Sequence, residues 1–155
     1  MKLLKVFLII SLFGISAGVK ADIVDAAEPV DIVVYRSPSC SCCGKWLEHL
    51  KKNNFNVKDI VTDDVQAIKN KYGVADTLAS CHTALVGGYV VEGHVPANDI
   101  IKLLKTKPKI VGIAVPGMVN GTPGMEMGDK KDAYNVISFD KENHAAVFHS
   151  YEGSQ

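Results

Sequence analysis

Apolar and polar positions along the chain follow two periods, and together they predict alternating strands and helices. Val30-Asp31-Ile32-Val33-Val34-Tyr35 is a nearly continuous apolar run rich in β-branched residues. That is the pattern of a strand covered on both faces. Ser37-Pro38-Ser39 breaks it. From Cys42 the apolar residues Cys43, Trp46, Leu47 and Leu50 recur at helical spacing, with Glu48 and Lys52 one turn apart on the opposite face. Asn53-Asn54 ends this helix. Phe55 to Val61 alternates and predicts a second strand. Thr62 is a good helix N-cap, followed by Asp63 and Asp64 in the first turn. Val65, Ile68 and Tyr72 then form a helical stripe that closes at Gly73. Thr83–Val86 and Tyr89–Glu92 are strand-like runs joined by Gly87-Gly88, a two-residue hairpin signal. Pro96 opens a third helix carrying Ile100, Ile101, Leu103 and Leu104, which stops before Pro108.

The predicted order is β-α-β-α-β-β-α. A helical crossover makes the first two strands parallel, and the last two form a hairpin. This α/β order looks like the thioredoxin fold. Residues beyond it read as an addition: a Met/Gly/Pro loop at Pro116–Gly128, then a β-hairpin of Tyr134–Phe139 and Ala145–Tyr151 turned at Asp140–Asn143.

The N-terminal residues read differently. Lys2 and Lys5 precede an apolar or small run of 13 residues from Val6 to Gly18, and Val19-Lys20-Ala21 follows. The run is short of the roughly 20 residues that a spanning helix needs, so residues 1–21 are read as a secretory signal peptide. Residues 22–155 are then a single thioredoxin-like domain, which opens with a loose lead-in from Asp22 to Pro29. The whole chain carries 17 basic and 17 acidic residues. Residues 1–21 hold three of the lysines and no acid, leaving 14 basic against 17 acidic residues, a net charge of −3. Such a domain has no electrostatic reason to bind nucleic acid. The expected location is an extracytoplasmic one, a bacterial periplasm, where thiols are under pressure to oxidise.

Cysteine position therefore matters. Cys40-Ser41-Cys42-Cys43 lies where the first strand hands over to the first helix, and Cys81-His82 lies just before the third strand. Cys40 and Cys43 have the C-x-x-C spacing of redox proteins, at a helix N-terminus that favours thiolate. In a thioredoxin-like fold the residues entering the third strand face that turn, which brings four sulfurs and an imidazole together. Three readings stand: two structural disulfides, a redox disulfide at Cys40/Cys43, or a metal site. Cys42 has no use in a dedicated oxidoreductase, and clustered sulfurs opposite a histidine suit metal ligation.

The three methionines outside residues 1–21, Met118, Met125 and Met127, share one loop containing four glycines and two prolines. That composition is too poor in apolar neighbours for a core, and flexible enough to fold over a site. Thioether sulfur is a soft ligand that suits Cu(I) better than zinc. Thiolates can also bridge several copper ions. Among the histidines, His82 is the best ligand candidate by adjacency to Cys81, and the role of His94 is open. His49 falls on the polar face of the first helix and is expected in solvent. His144 and His149 are expected at or near the surface of the final hairpin.

Ser37-Pro38-Ser39-Cys40-Ser41-Cys42-Cys43 with Trp46, Ser80-Cys81-His82-Thr83-Ala84, Gly88–Ala97, Val115-Pro116-Gly117-Met118 and Pro123-Gly124-Met125-Glu126 together resemble the CopG-type family. The resemblance implies a thioredoxin-like fold, a periplasmic setting and a role in copper resistance. It also implies a copper site, multinuclear in form, at Cys40, Cys42, Cys43, Cys81 and His82. Met118 and Met125 match the family's methionine positions, while Met127 lies outside the pattern. Interconversion of Cu(I) and Cu(II), and hand-over of copper to an exporter or a periplasmic copper chaperone, belong to the same expectation. The alternative is a thiol-disulfide oxidoreductase using Cys40 and Cys43.

Overall fold

A computed structural model of the chain describes residues 28–154 with the exception of Asn143. The expected signal peptide at 1–21 lies outside the described residues, as does most of the lead-in. The described residues form a mixed α/β structure. In chain order it comprises β1 (Val30–Arg36), α1 (Ser41–Lys52), β2 (Phe55–Val61), α2 (Val65–Lys71), a 3-10 turn at Asp76–Leu78, β3 (His82–Val86), β4 (Tyr89–Glu92), α3 (Ala97–Thr106), β5 (Gly112–Ala114), β6 (Tyr134–Phe139) and β7 (Ala145–Tyr151). The strands make one seven-stranded sheet in the order β2-β1-β3-β4-β5-β6-β7. β1/β2 and β4/β5 are parallel, and the other neighbours are antiparallel.

Side chains alternate between the two faces of a strand, and this divides the core. Ala84, Val86 and Val91 pack with Trp46, Leu47 and Leu50 of α1 and Ile100 and Leu103 of α3. On the opposite face, Leu85 and Val90 pack with Tyr72, Val74 and Leu78, which follow α2. Fully burying a leucine or isoleucine contributes about 1.5–3 kcal/mol, so the α1/α3 face is the larger anchor.

Three expectations need correction. β1 is fully buried only at Ile32 and Val34, with Val33 and Tyr35 half-buried. The reason is that α2 has only seven residues and covers the second face in part. The cap of α2 is Asp64, whose carboxylate accepts the Ala67 N–H at 2.9 Å, while Thr62 Oγ1 accepts the Asp64 N–H one step earlier. Finally, the apolar run after Pro108, to which periodicity assigns no element, contains β5. Only three residues long, β5 joins the terminal hairpin to the sheet by pairing with β4 and β6.

This topology decides where chemistry can occur. β1 and β3 are antiparallel with Arg36 opposite His82, so the end of β1 meets the start of β3. β3 and β4 are antiparallel with Thr83 opposite Glu92, and parallel β5 places Ala114 opposite Glu92. The segments after β1, before β3, after β4 and after β5 therefore emerge at one margin of the sheet. They carry Cys40–Cys43, Cys81, His94 and Met118, respectively.

Candidate metal centre

Cys40 occupies the N-cap position of α1, and Cys42 and Cys43 lie in its first turn. Cys40 and Cys43 are joined in a disulfide, and Cys42 and Cys81 are free thiols. The structure thus pairs one set of cysteines, where the bridging reading expected two. Cys42 Sγ stands 3.6 Å from Cys40 Sγ and 4.0 Å from Cys81 Sγ. All four sulfurs lie within 4.8 Å of one another, close enough to face a common ion. Burial pushes the Cys81 thiol up to about 11, against a smaller downward pull from the Ser80 hydroxyl. At neutral pH Cys81 is therefore a protonated thiol and a weak nucleophile, and a soft cation must displace its proton to bind.

Two imidazoles face the same sulfur. His82 Nδ1 lies 3.3 Å and His94 Nε2 3.1 Å from Cys81 Sγ. The Nδ1–H of His94 donates to the Pro123 carbonyl at 2.8 Å, which leaves the Nε2 lone pair aimed at Cys81. A backbone carbonyl behind one ring nitrogen is the usual device that fixes the tautomer of a ligating histidine. His82 is fully buried against Trp46, with ring centroids 4.3 Å apart, and edge-on to His94 at 5.0 Å. Its Nε2 is buried without a hydrogen-bond partner among the described residues. Burial, reinforced by His94 and Lys69, holds His82 well below the usual imidazole range. Burial also lowers His94, with Pro123 and Glu126 pulling the other way. Both rings are neutral, the state in which imidazole offers a lone pair to a metal. Sequence left His94 undecided because it follows β4 rather than a cysteine. The signal available was Gly93, whose φ of +72° and tight approach to Ser80 and Val115 turn the chain back toward Cys81.

Beneath the cysteine turn, on the α2 face of the sheet, lies a buried ion pair that sequence reasoning missed. Lys69 is 4 % exposed and Glu92 0 %. The Lys69 ammonium donates to Glu92 and, at 3.0 Å, to Thr83 Oγ1. Glu92 also accepts the Thr83 hydroxyl at 2.7 Å and the Ser80 N–H at 2.6 Å. The carboxylate thereby holds the backbone one residue before Cys81. Burial pushes Glu92 above the usual carboxylate range, while Lys69 and the hydrogen bonds pull it back.

The methionine loop is anchored, contrary to the flexible cover expected. Gly117 N–H donates to Ala79 O at 3.1 Å, and the Ser80 hydroxyl donates to Gly117 O at 2.5 Å. Gly124, at φ +84°, runs so close to α1 that a Cβ there would stand 2.7 Å from Trp46 N. Met118 and Met125, together with Met127, line a surface pocket of about 370 Å³ that includes Cys42. His49 differs from expectation as well. It is half-buried, and its Nε2 accepts the Ala97 N–H at 3.1 Å, closing the N-terminus of α3. His144 is exposed against Asp140, and His149 Nδ1 reaches the buried Asp99 at 2.7 Å.

A family profile described as protein of unknown function, DUF411, matches residues 78–125, which span Cys81, His82, His94, Met118 and Met125. No curated protein sequence matches the chain. Two solved structures do. Copper resistance protein copG in form 1 is 48 % identical, covering 81 % of this chain and 100 % of that one, with a TM-score of 0.77. Form 2 is 47 % identical over 80 % and 99 % of the two chains, also with a TM-score of 0.77. At that identity over the full length of the relatives, the chain belongs to the CopG family of copper resistance proteins.

Proposed function

We propose that this chain is a periplasmic copper-binding protein of copper resistance, holding Cu(I) on Cys40, Cys42, Cys43, Cys81 and His82, with Met118 and Met125 above them. The observation that carries this reading is the donor set itself: four sulfurs within 4.8 Å of one another, and beside them the buried His82, whose Nδ1 lies 3.3 Å from Cys81 Sγ. His94 joins the donor set through its carbonyl-fixed tautomer. Once the Cys40–Cys43 disulfide is reduced, four thiolates with spare lone pairs around monovalent ions suit a multinuclear cluster. The order of the first seven elements supports a thioredoxin-like core carrying the site at its redox-motif position.

The disulfide gives the site a route to change copper's oxidation state. Two Cu(II) ions take one electron each from the Cys40 and Cys43 thiols, the disulfide forms, and two protons leave. The two Cu(I) products remain beside Cys42 and Cys81, ready for an exporter or a periplasmic copper chaperone. The same disulfide favours a second reading, a thiol-disulfide oxidoreductase using Cys40/Cys43.

Titrating the reduced protein with Cu(I) and with Zn(II) against competing chelators tests the proposal. More than one Cu(I) per chain, retained against a moderate chelator and lost in Cys42→Ser and Cys81→Ser, is the expected result. Zinc binding without copper retention would reject it. Disulfide turnover lost in Cys40→Ser but untouched in Cys42→Ser and Cys81→Ser would establish the second reading instead.

A further inference from the structure

Resting on the copper reading above, we propose that Glu92 is a positioning residue for the metal. Its carboxylate, held by Lys69, clamps the chain on both sides of Cys81-His82 and so sets the Cu(I) affinity of the centre. The bonds define the clamp. Glu92 Oε1 accepts the Ser80 N–H at 2.6 Å, immediately before Cys81, and Oε2 accepts the Thr83 hydroxyl at 2.7 Å, immediately after His82. Lys69 Nζ donates to Oε1 and, at 3.0 Å, to Thr83 Oγ1, which fixes the carboxylate between the two ends. Among the described residues neither Glu92 nor Lys69 hydrogen-bonds a sulfur or an imidazole. The pair therefore acts on copper through the backbone that it holds.

Much depends on where that backbone lies. Cys81 Sγ stands 4.0 Å from Cys42 Sγ, 3.3 Å from His82 Nδ1 and 3.1 Å from His94 Nε2. It is thus the sulfur that joins the cysteine turn of α1 to both imidazoles. Glu92 also links the two histidine segments. It ends β4, and its own carbonyl accepts the Val115 N–H at 3.0 Å. The chain then turns at Gly93, whose N–H donates to His82 O at 3.0 Å, and reaches His94. A donor set converging from separate segments tolerates a misplacement of only about 0.5 Å.

Stability alone does not account for the pair. Apolar residues of like volume often serve as well as a buried ion pair, or better. What apolar residues cannot do is accept the Ser80 N–H. The other ties on this stretch run to a loop: the Ser80 hydroxyl donates to Gly117 O at 2.5 Å, and Gly117 N–H to Ala79 O at 3.1 Å. Glu92 instead ties it to the sheet, where Glu92 and Thr83 are cross-strand neighbours. Groups mounted on strands are held more precisely than groups mounted on loops. Partners that orient metal ligands from behind typically change metal affinity by about 10–100-fold.

The test compares two variants of the reduced protein that carry no buried charge at this place, Lys69→Met/Glu92→Gln and Lys69→Met/Glu92→Met. The glutamine carbonyl still accepts the Ser80 N–H, and the methionine does not. Cu(I) affinity is read by competition with a colorimetric chelator, and urea unfolding of the metal-free proteins shows that each is folded. The glutamine variant is expected to bind close to the parent, and the methionine variant about 10–100-fold more weakly. Equal affinity in the two variants, whether high or low, would overturn the positioning role and leave the copper reading intact. If the methionine variant does not fold, Thr83→Val takes its place, keeping the ion pair while freeing the end beside His82. Weaker Cu(I) binding there supports the clamp, and an affinity equal to the parent's overturns it. A parent protein that retains no Cu(I) would overturn both readings.

Discussion

Replacing Lys69 by methionine removes a buried ammonium while keeping most of the apolar stem. Glu92 would then keep the Ser80 N–H and the Thr83 hydroxyl but lose its cation, at 0 % exposure. Breaking a buried pair from one side costs about 3–5 kcal/mol. An independent bound follows from the carboxyl itself, which can take up a proton rather than remain an unpaired anion. Protonating an ordinary glutamate at pH 7 costs about 3–4 kcal/mol, and at pH 5 about 1 kcal/mol. The two figures agree at neutral pH and diverge below it. Lys69→Met is therefore expected to lose about 3–4 kcal/mol at pH 7 and about 1 kcal/mol at pH 5 relative to the parent. Urea unfolding of both proteins at both pH values, with the disulfide intact, measures this. A second change, Glu92→Gln, removes the stranded charge and should restore much of the loss at pH 7. A loss below about 1 kcal/mol at pH 7, or one independent of pH, would refute a stabilising buried pair at this site.

Three further outcomes follow from the site's surroundings. His82 and His94 hold protons less tightly when folded than the ordinary value of 6.5. The unfolded chain thus gains protons first as pH falls, so their stabilisation is present above pH 6.5 and is lost below it, with a slope of about 1.4 kcal/mol per pH unit for each histidine. Unfolding free energies of the metal-free protein that stay flat from pH 7 to 5 would contradict this. Gly93→Ala should cost about 2–4 kcal/mol, from a left-handed backbone and overpacking against Ser80 and Val115 together. A thermal or urea midpoint close to the parent's would show the turn to be adaptable. His49→Leu removes the acceptor of the Ala97 N–H and should cost about 1 kcal/mol, as the loss of a helix cap does. An unchanged unfolding midpoint would show that water replaces the ring.

Sequence pattern revealed the elements that are long or marked by turn chemistry. The α1 stripe of Cys43, Trp46, Leu47 and Leu50 is buried as spaced. Gly87-Gly88 joins β3 to β4 with both φ values positive. β5 escaped because three residues are too few to show a period. Cysteines and His82 were visible as candidates because soft or titratable residues stood adjacent in the chain. His94, Lys69 and Glu92 were not, because their roles depend on contacts made only once distant strands and helices pack. In one dimension Lys69 and Glu92 look like any solvated charges, and His49 looks like a surface histidine. The loop composition of glycine and proline reads as freedom, while the structure spends Gly124 on a close approach to α1.

The most direct test of the central claim is a crystal structure of the Cu(I)-loaded, reduced protein, with anomalous scattering collected at the copper edge. The account predicts more than one anomalous peak within bonding distance of Cys40, Cys42, Cys43 and Cys81, with His82 Nε2 or Nδ1 turned to copper. Peaks confined to surface side chains, or an intact Cys40–Cys43 disulfide with no copper beside it, would contradict it.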